Sequence, residues 1–410
     1  KLFQRCDMRL ILMAWRNLNR NRQRTLITAL SVAIGVLASV VLQGLSSAFV
    51  RSLIEAKVES RVGALQVFRA GYFDAEEPLR LSLSWNHDIA SRILRVPGIT
   101  AVAPRIEFEG LLSNGTEATM FQGSAIDPAF EYKVCPKRQR QVGPDSNPLR
   151  SERIDEMLIG RTIAESLGVD KGGTLVMQAA GPHASTNALD VEVSGFLPVI
   201  DFAESKRVAL VSLQFAQDLL RMPGRVTSYA VGIEELDHAN VVADRLRHAL
   251  GKDYLVLTWE DLDPGTRTRA LTAEYAFFLV TVMLFLLAAS GIINTMLMSV
   301  SERVREIGTM LSLGVRRWQI TVLFLSEAAL SGIFSALGGA ALGYGVVSAL
   351  GAYGVVGPMA GGDKMILYPR VGFGFLLATV LFAVSGAVLA GLYPAWKAAR
   401  LRPVEALRAN

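Results

Sequence analysis

The stretch Tyr275–Ser301, YAFFLVTVMLFLLAASGIINTMLMSVS, holds no charged side chain over 27 positions. A helix needs about 20 apolar residues to cross the hydrocarbon core of a bilayer, so this run is long enough to span one. Three others match it. Thr25–Val50 (26 positions), Ala328–Gly362 (35) and Val371–Trp396 (26) also lack Asp, Glu, Lys and Arg. Charged residues make up 19 % of the 410 residues, against about 25 % in soluble proteins, and the deficit lies in these four runs. A fully soluble protein is excluded. A secretory signal does not explain the first run, which is too long for a signal's apolar core and is followed by three more.

Charge orients the chain. Four spans put both termini on one side. Lys1–Arg24, Glu302–Arg317 and Lys397–Asn410 together carry 15 basic and 4 acidic residues, or +11, while the whole chain is +5, leaving −6 for the rest. The positive-inside rule places these three segments in the cytoplasm. The expected layout is a cytoplasmic interfacial amphipathic segment (1–24), span one (25–50), an extracytoplasmic domain (51–273) and span two (274–301). A cytoplasmic loop (302–317), span three (318–349), an outer loop (350–370), span four (371–396) and a cytoplasmic tail (397–410) follow. The basic pI of 9.2 comes from the flanks, so no basic face for nucleic acid is expected. Cys6 and Cys135 fall on opposite sides of the membrane and form no disulfide framework. Cys135 is expected to be a lone thiol that outside labelling reaches.

The outer domain reads as α+β. A helix over His87–Val96 stops at Pro97-Gly98 and a strand follows at Ile99–Ala103. The order recurs as strand Tyr229–Ile233, helix Ala239–Leu250, stop at Gly251 and strand Tyr254–Trp259. Two such units predict an antiparallel sheet with helices on one face. Between them Gly123–Leu220 is richer in strand-like stretches (Thr174–Gln178, Leu189–Phe196, Val208–Val211) and reads as a β-rich insertion. Pro136–Arg153 is polar and reads as a mobile loop. The fold class is an α-helical membrane protein with four transmembrane helices and a large α+β domain between the first two.

Catalytic motifs are missing. Gly168 and Gly173 have phosphate-loop separation, but Thr174 stands where Lys is required. His87, His183, His238 and His248 lack metal-ligand spacing. Within the spans, Ser335, Gly339 and Gly343 recur every four residues and mark a close helix contact. Glu327 and Asn294 are candidate intramembrane polar groups. Leu42, Leu45, Phe49, Tyr275, Phe278 and Val282 line a candidate lipid entrance at the outer leaflet.

The loop Ser301–Arg317, SERVREIGTMLSLGVRR, puts Glu302, Arg303, Arg305 and Glu306 on a short helix that could press into a partner's groove. It resembles the E-R-x-R-E-I-G-x-x-x-x-x-G signature of FtsX-like and MacB-like ABC permeases, the mechanotransmission type VII group. Trp15–Gly35, Thr258–Leu262 (TWEDL) and Tyr393–Arg408 resemble the same family at the entry to span one, the end of the outer domain and the tail. The layout is similar to that of the lipoprotein-releasing permeases LolC and LolE. The resemblance implies that Glu302, Arg303, Arg305, Glu306, Ile307 and Gly308 contact a separate cytoplasmic ATPase dimer, which binds ATP and Mg. This chain itself is expected to hold no cofactor and to catalyse nothing. A second permease chain, identical or related, is implied. So is an outer domain with a porter-like part and a β-rich insertion at about 123–220. The expected location is the bacterial inner membrane. The first function expected is extraction of lipoprotein or other lipidated cargo toward a periplasmic carrier. A tripartite efflux or secretion pump with adaptor and outer-membrane channel is the second. An FtsX-like scaffold that activates an outside enzyme is the third.

Overall fold

A computed structural model describes residues 22–140, 146–183, 185–197, 207–358 and 364–402. Helix α1 (Arg22–Lys57) ends in a π-helical turn, Val58–Val62. Strand β1 (Leu65–Arg69) and the short β2 (Leu83–Ser84) lead to helix α2 (His87–Leu94). Asn86 caps α2 by accepting the Asp88 N–H at 2.9 Å. Next come β3 (Ile99–Ser113), β4 (Ala118–Ile126), α3 (Pro128–Val134) and α4 (Pro136–Arg140). Asp127 caps α3 with Pro128 in its first turn. Then follow β5 (Glu156–Gly160), α5 (Arg161–Leu167), β6 (Thr174–Ala180), β7 (Thr186–Leu197), β8 (Val208–Ser212) and α6 (Leu213–Leu219). Strands β9 (Arg225–Val226) and β10 (Ser228–Ile233), helix α7 (Ala239–Leu250), strand β11 (Tyr254–Thr258) and helix α8 (Trp259–Leu262) complete the domain. The remainder is α9 (Pro264–Glu302), α10 (Val304–Ser312), α11 (Arg317–Tyr353), a hairpin β12 (Val355–Pro358) and β13 (Lys364–Leu367), and α12 (Phe373–Ala399).

The chain divides into two units: one of Lys1–Arg51, Leu271–Gly357 and Met365–Asn410, the other of Ser52–Ala270 and Pro358–Lys364. The second is built on nine strands in the order β11-β1-β10-β3-β4-β8-β5-β7-β6, with a further pairing of β3 to β6. That extra pairing closes a loop. Along one edge the second part of β3 pairs with β4, from Arg105↔Ile126 to Ser113↔Ala118. Along its other edge, Ile99–Arg105 pairs with β10 and Gly110–Ser113 pairs with β6. One long strand therefore belongs to an open sheet (β11-β1-β10-β3) and to a closed barrel (β3-β4-β8-β5-β7-β6). At Gly110, where β3 joins β6, a Cβ would collide with the Gln178 carbonyl oxygen, so only glycine permits this approach. Leu112, Phe121, Met157, Ile159, Met177, Val193 and Val211 are buried in the barrel, in one hydrophobic cluster continuous with Ile93, Val231, Val242 and Leu246 of the open-sheet part.

The first unit holds four helices long and apolar enough to cross a membrane. Its core is rich in alanine: Ala328, Ala336, Ala340, Ala383, Ala387, Ala390 and Ala395 pack with Val36, Met296 and Phe324. Small side chains let the backbones approach. A Cβ on Gly332 would lie 2.7 Å from Ala387 Cβ, and one on Gly391 2.8 Å from Ala328 Cβ, so α11 and α12 meet closely.

The differences from the sequence reading have physical causes. Span one ends at Val50 by charge, yet α1 continues to Lys57. Likewise α9 begins at Pro264, ahead of the apolar run. Charge marks where lipid ends, not where a helix ends. The stretch 123–220, expected to be β-rich, holds β5, β6, β7 and β8, and the parallel pairing of β4 with β8 ties it to β3. Part of the expected loop is ordered: Pro136–Arg140 is helical, Leu149 is buried, and Tyr132 Oη donates to its carbonyl at 3.1 Å. The interfacial segment lies, up to Asn21, outside the described residues, as does Cys6.

Candidate coupling site

Helix α10 starts where α9 stops. Arg303 is its N-cap residue, and its carbonyl accepts the Ile307 N–H at 2.9 Å. The other end is a Schellman turn: Gly314 N–H donates to Leu311 O at 3.2 Å and Val315 N–H to Met310 O at 3.1 Å. Gly314 takes φ +92°, which disfavours any residue with a Cβ. The second glycine of the E-R-x-R-E-I-G-x-x-x-x-x-G pattern is therefore a helix stop. The sequence reading did not count it among the site residues, although the pattern displays it.

The helix has two faces. Ile307 and Gly308 are buried, with Ile307 in the α9, α11 and α12 core. Glu302, Arg305 and Thr309 are exposed, and Leu313 is 81 % exposed. Trp318, at the start of α11, is exposed too. An exposed leucine at the end of α10 is an apolar group a partner could cover. Arg303 departs from the row expected to face a partner. Its guanidinium turns inward to Glu327, Nη1 to Oε2 3.3 Å, with side chains only 12 % and 11 % exposed, and Nε lies 3.4 Å from Glu306. Of the six residues expected to meet an ATPase, Ile307 and Gly308 face the core. Arg303 and Glu306 pair with each other, Arg303 also with Glu327, and the side chains of Glu302 and Arg305 are exposed.

The small-residue row packs on span one. A Cβ on Gly339 would collide with the Ala33 carbonyl oxygen, and one on Gly343 would sit 2.9 Å from Val40 Cβ. Ser335 is buried, and its Oγ donates to Ser331 O at 2.7 Å. The candidate entrance is divided. Leu42, Leu45, Phe49 and Val282 are half-buried, whereas Tyr275 and Phe278 are exposed. The aromatic contact between spans one and two is Phe49 with Phe277, 6.5 Å between centroids, a partner one position from the chosen Phe278. Asn294 is exposed on α9.

In the sheet unit, the root of α1 is held by buried charge. Arg105 donates to Glu131 at 3.0 Å through Nε and 2.6 Å through Nη2, and Arg138 donates to Glu131 at 2.5 Å. Arg105 Nη1 also donates to Val62 O at 3.0 Å, and Cys135 Sγ to Val58 O at 3.3 Å. These two carbonyls belong to the π-helical turn that closes α1. Burial pushes Glu131 up, and Arg105 and Arg138 outweigh it, holding the carboxyl below its usual range. Burial pushes the Cys135 thiol up to about 11. Cys135 is completely buried, so the expectation that outside labelling reaches it is corrected. The TWEDL stretch is a capping box: Asp261 accepts the Thr258 N–H at 2.9 Å, and Thr258 Oγ1 accepts the Asp261 N–H. Asp263 then caps α9 through Thr266 N–H at 3.0 Å and pairs with Lys57 at 3.6 Å, joining the end of α1 to the start of α9. A cavity of about 330 Å³ opens between α2, β3 and α3, lined by Trp85, Leu94, Phe130 and Lys133 among others.

Four membrane-length helices, a short capped helix between the second and third, and a large sheet domain between the first and second define a polytopic permease. Residues 25–249 match the MacB-like periplasmic core domain and residues 278–403 the FtsX-like permease C-terminal domain. The chain belongs to this FtsX-like, MacB-like family of ABC transporter permeases. It is 25 % identical over 347 residues to the lipoprotein-releasing system transmembrane protein LolC of Xylella fastidiosa, covering 79 % of this chain and 81 % of that one. It is 27 % identical over 421 residues to the macrolide export ATP-binding/permease protein MacB of Bdellovibrio bacteriovorus, covering 96 % of this chain. The chain spans 60 % of that relative's length. The periplasmic region of MacB from Actinobacillus actinomycetemcomitans is similar at 11 % identity and TM-score 0.36, over 53 % of this chain and 94 % of that one.

Proposed function

We propose that this chain is the permease subunit of an inner-membrane ABC transporter that converts ATP hydrolysis by a separate cytoplasmic ATPase into movement of its periplasmic domain. The observation that carries the reading is α10. It is capped at both ends, anchored by Ile307 and Arg303, and offers Arg305, Thr309 and Leu313 outward. Such a helix suits a groove on the ATPase. Helices α1 and α9 continue without a break past their apolar runs, and Lys57 and Asp263 pair beyond them. In this reading movement at α10 is passed along α1 and α9 toward the periplasmic domain, and cargo is driven outside the bilayer. The termini lie in the cytoplasm, following the basic flanks.

Lipoprotein or other lipidated molecules are the proposed cargo, handed to a periplasmic carrier. The near-equal coverage of this chain and its LolC relative supports this. The second reading, an efflux or secretion permease with an adaptor and outer-membrane channel, draws on the 96 % coverage of this chain by its MacB relative. A second permease chain completes the transporter. Helix α9 supports this: Asn294, a polar residue within the span, is exposed on it and has more to gain from a protein partner than from lipid.

Purification from native membranes in mild detergent, with mass spectrometry of everything retained, tests the reading. A small ATPase, a similar permease and lipoproteins are the expected companions. An adaptor and an outer-membrane channel would favour the efflux reading. The absence of any ATPase would overturn both.

A further inference from the structure

Glu327 lies ten positions into α11, buried beside Phe324 and Ala328. A carboxylate in such surroundings is costly unless it is paired. Its partner is Arg303 at 3.3 Å, contributed from the N-cap of α10. Ile307, Met310 and Leu311 seat α10 by apolar contacts, and apolar contacts can slide without leaving an orphaned group. A nearly dry ion pair cannot, because separating it strands two desolvated charges. Arg303 also has Glu306 on its own helix, which fixes the guanidinium before it reaches across.

We propose that the Arg303–Glu327 pair is the joint through which α10 moves the third span, making Glu327 a positioning residue for coupling. The proposal deepens the reading of α10 as the ATPase-docking helix and rests on it. Docking falls to the outward residues Arg305, Thr309 and Leu313. Transmission falls to the inward pair. The two tasks occupy opposite faces of one short helix. Snorkelling of Glu327 toward the interface would leave α10 indifferent to the carboxylate, whereas a joint makes α10 depend on it.

The test uses the full chain in nanodiscs, with amide hydrogen exchange followed in α10 and in α7 as an internal reference. In Glu327→Gln the α10 amides are expected to exchange about tenfold faster while those of α7 stay unchanged. The charge swap Arg303→Glu with Glu327→Arg, made on a Glu306→Gln background to remove the carboxylate that pairs with Arg303, is expected to return them close to the rate of Glu306→Gln alone. A purely structural tie would show these effects and no more. A second readout therefore follows exchange in the distal part of α11 in the complex with its co-purified ATPase, with and without ATP and vanadate. The nucleotide-dependent change is expected in the native chain and the swap, and not in Glu327→Gln. Unchanged α10 exchange in Glu327→Gln, failure of the swap to restore it, or a nucleotide response that survives Glu327→Gln would overturn the joint. If no ATPase accompanies the native chain, the docking reading falls, and the joint falls with it as a coupling device.

Discussion

Glu131 is fully buried between two arginines, and its removal tests how the root of α1 is held. Glu131→Gln leaves Arg105 buried with its charge uncompensated. Breaking a buried pair from one side costs about 3–5 kcal/mol, and thermal unfolding of the full chain measures it. The pH dependence follows from the sign of the shift. A carboxyl held below its usual range stabilises the fold above its unfolded pKa of about 4.3 and loses that contribution as pH falls through the lower folded value. The gap in melting temperature between native chain and variant is therefore expected to be constant from neutral pH to about 5 and to close only in stronger acid. A gap that closes near neutral pH would contradict the ion-pair account. Cys135 in the same cluster is expected to resist maleimide in the folded chain and to react once the chain is unfolded. None of this was legible in the sequence. No motif or spacing singles out Arg105 or Glu131, and Arg138 lies in a stretch that read as a polar loop; only the fold brings a strand and a helix together around them.

At the scale of elements, α10 divides into legible and hidden parts. The signature residues and both glycines stand in the sequence, and the chain's charge pattern marks the loop. Which charge points inward is decided by burial against α11, far along the chain. The charges therefore read as one partner-facing row, and Arg303 was grouped with Arg305. The same limit applies to the barrel. Alternation marked its strands, but the β3–β6 pairing that closes it joins residues more than sixty positions apart, and local pattern does not carry register over that distance. The row Ser335, Gly339 and Gly343 was legible as a contact face, whereas its partner, span one, was not. Two predictions belong here. Leu313→Asp removes an exposed apolar group without touching the core, so it is expected to abolish ATPase co-purification and leave the melting temperature within about 1 °C, as surface changes usually do. Gly339→Leu drives a side chain into the Ala33 backbone, and it is expected to destabilise the helical unit by at least about 1–3 kcal/mol. Thermal unfolding in detergent separates the two, since loss of stability in Leu313→Asp would mean that the outward face is structural.

For the whole molecule, the decisive question is what covers the outer side of α9. Met283, Leu286, Leu287 and Met298 are exposed along it, and Asn294 is exposed in the same row. Asn294 lies eight residues before Glu302, about 12 Å along the helix, too far for so short a side chain to reach water. An amide facing hydrocarbon with no partner is costly. A carboxamide offers both donor and acceptor, so two copies of Asn294 facing each other across a twofold axis satisfy one another. Lipid cannot do this, and a second permease chain can. Asn294→Cys in native membranes is then expected to give an oxidative cross-link at twice the chain mass if the partner is identical, or at the summed mass of two different chains if it is a related permease carrying a cysteine at the matching level. Ile292→Cys, on the buried side of the same helix, is expected to give neither. The membrane side can be read in the same cells. Lys252→Cys, exposed in the sheet domain, is expected to label with an impermeant maleimide from the periplasm. A cross-link from Ile292→Cys rather than Asn294→Cys would place the seam on another face of α9. Failure to label Lys252→Cys in intact spheroplasts would reverse the orientation drawn from the basic flanks.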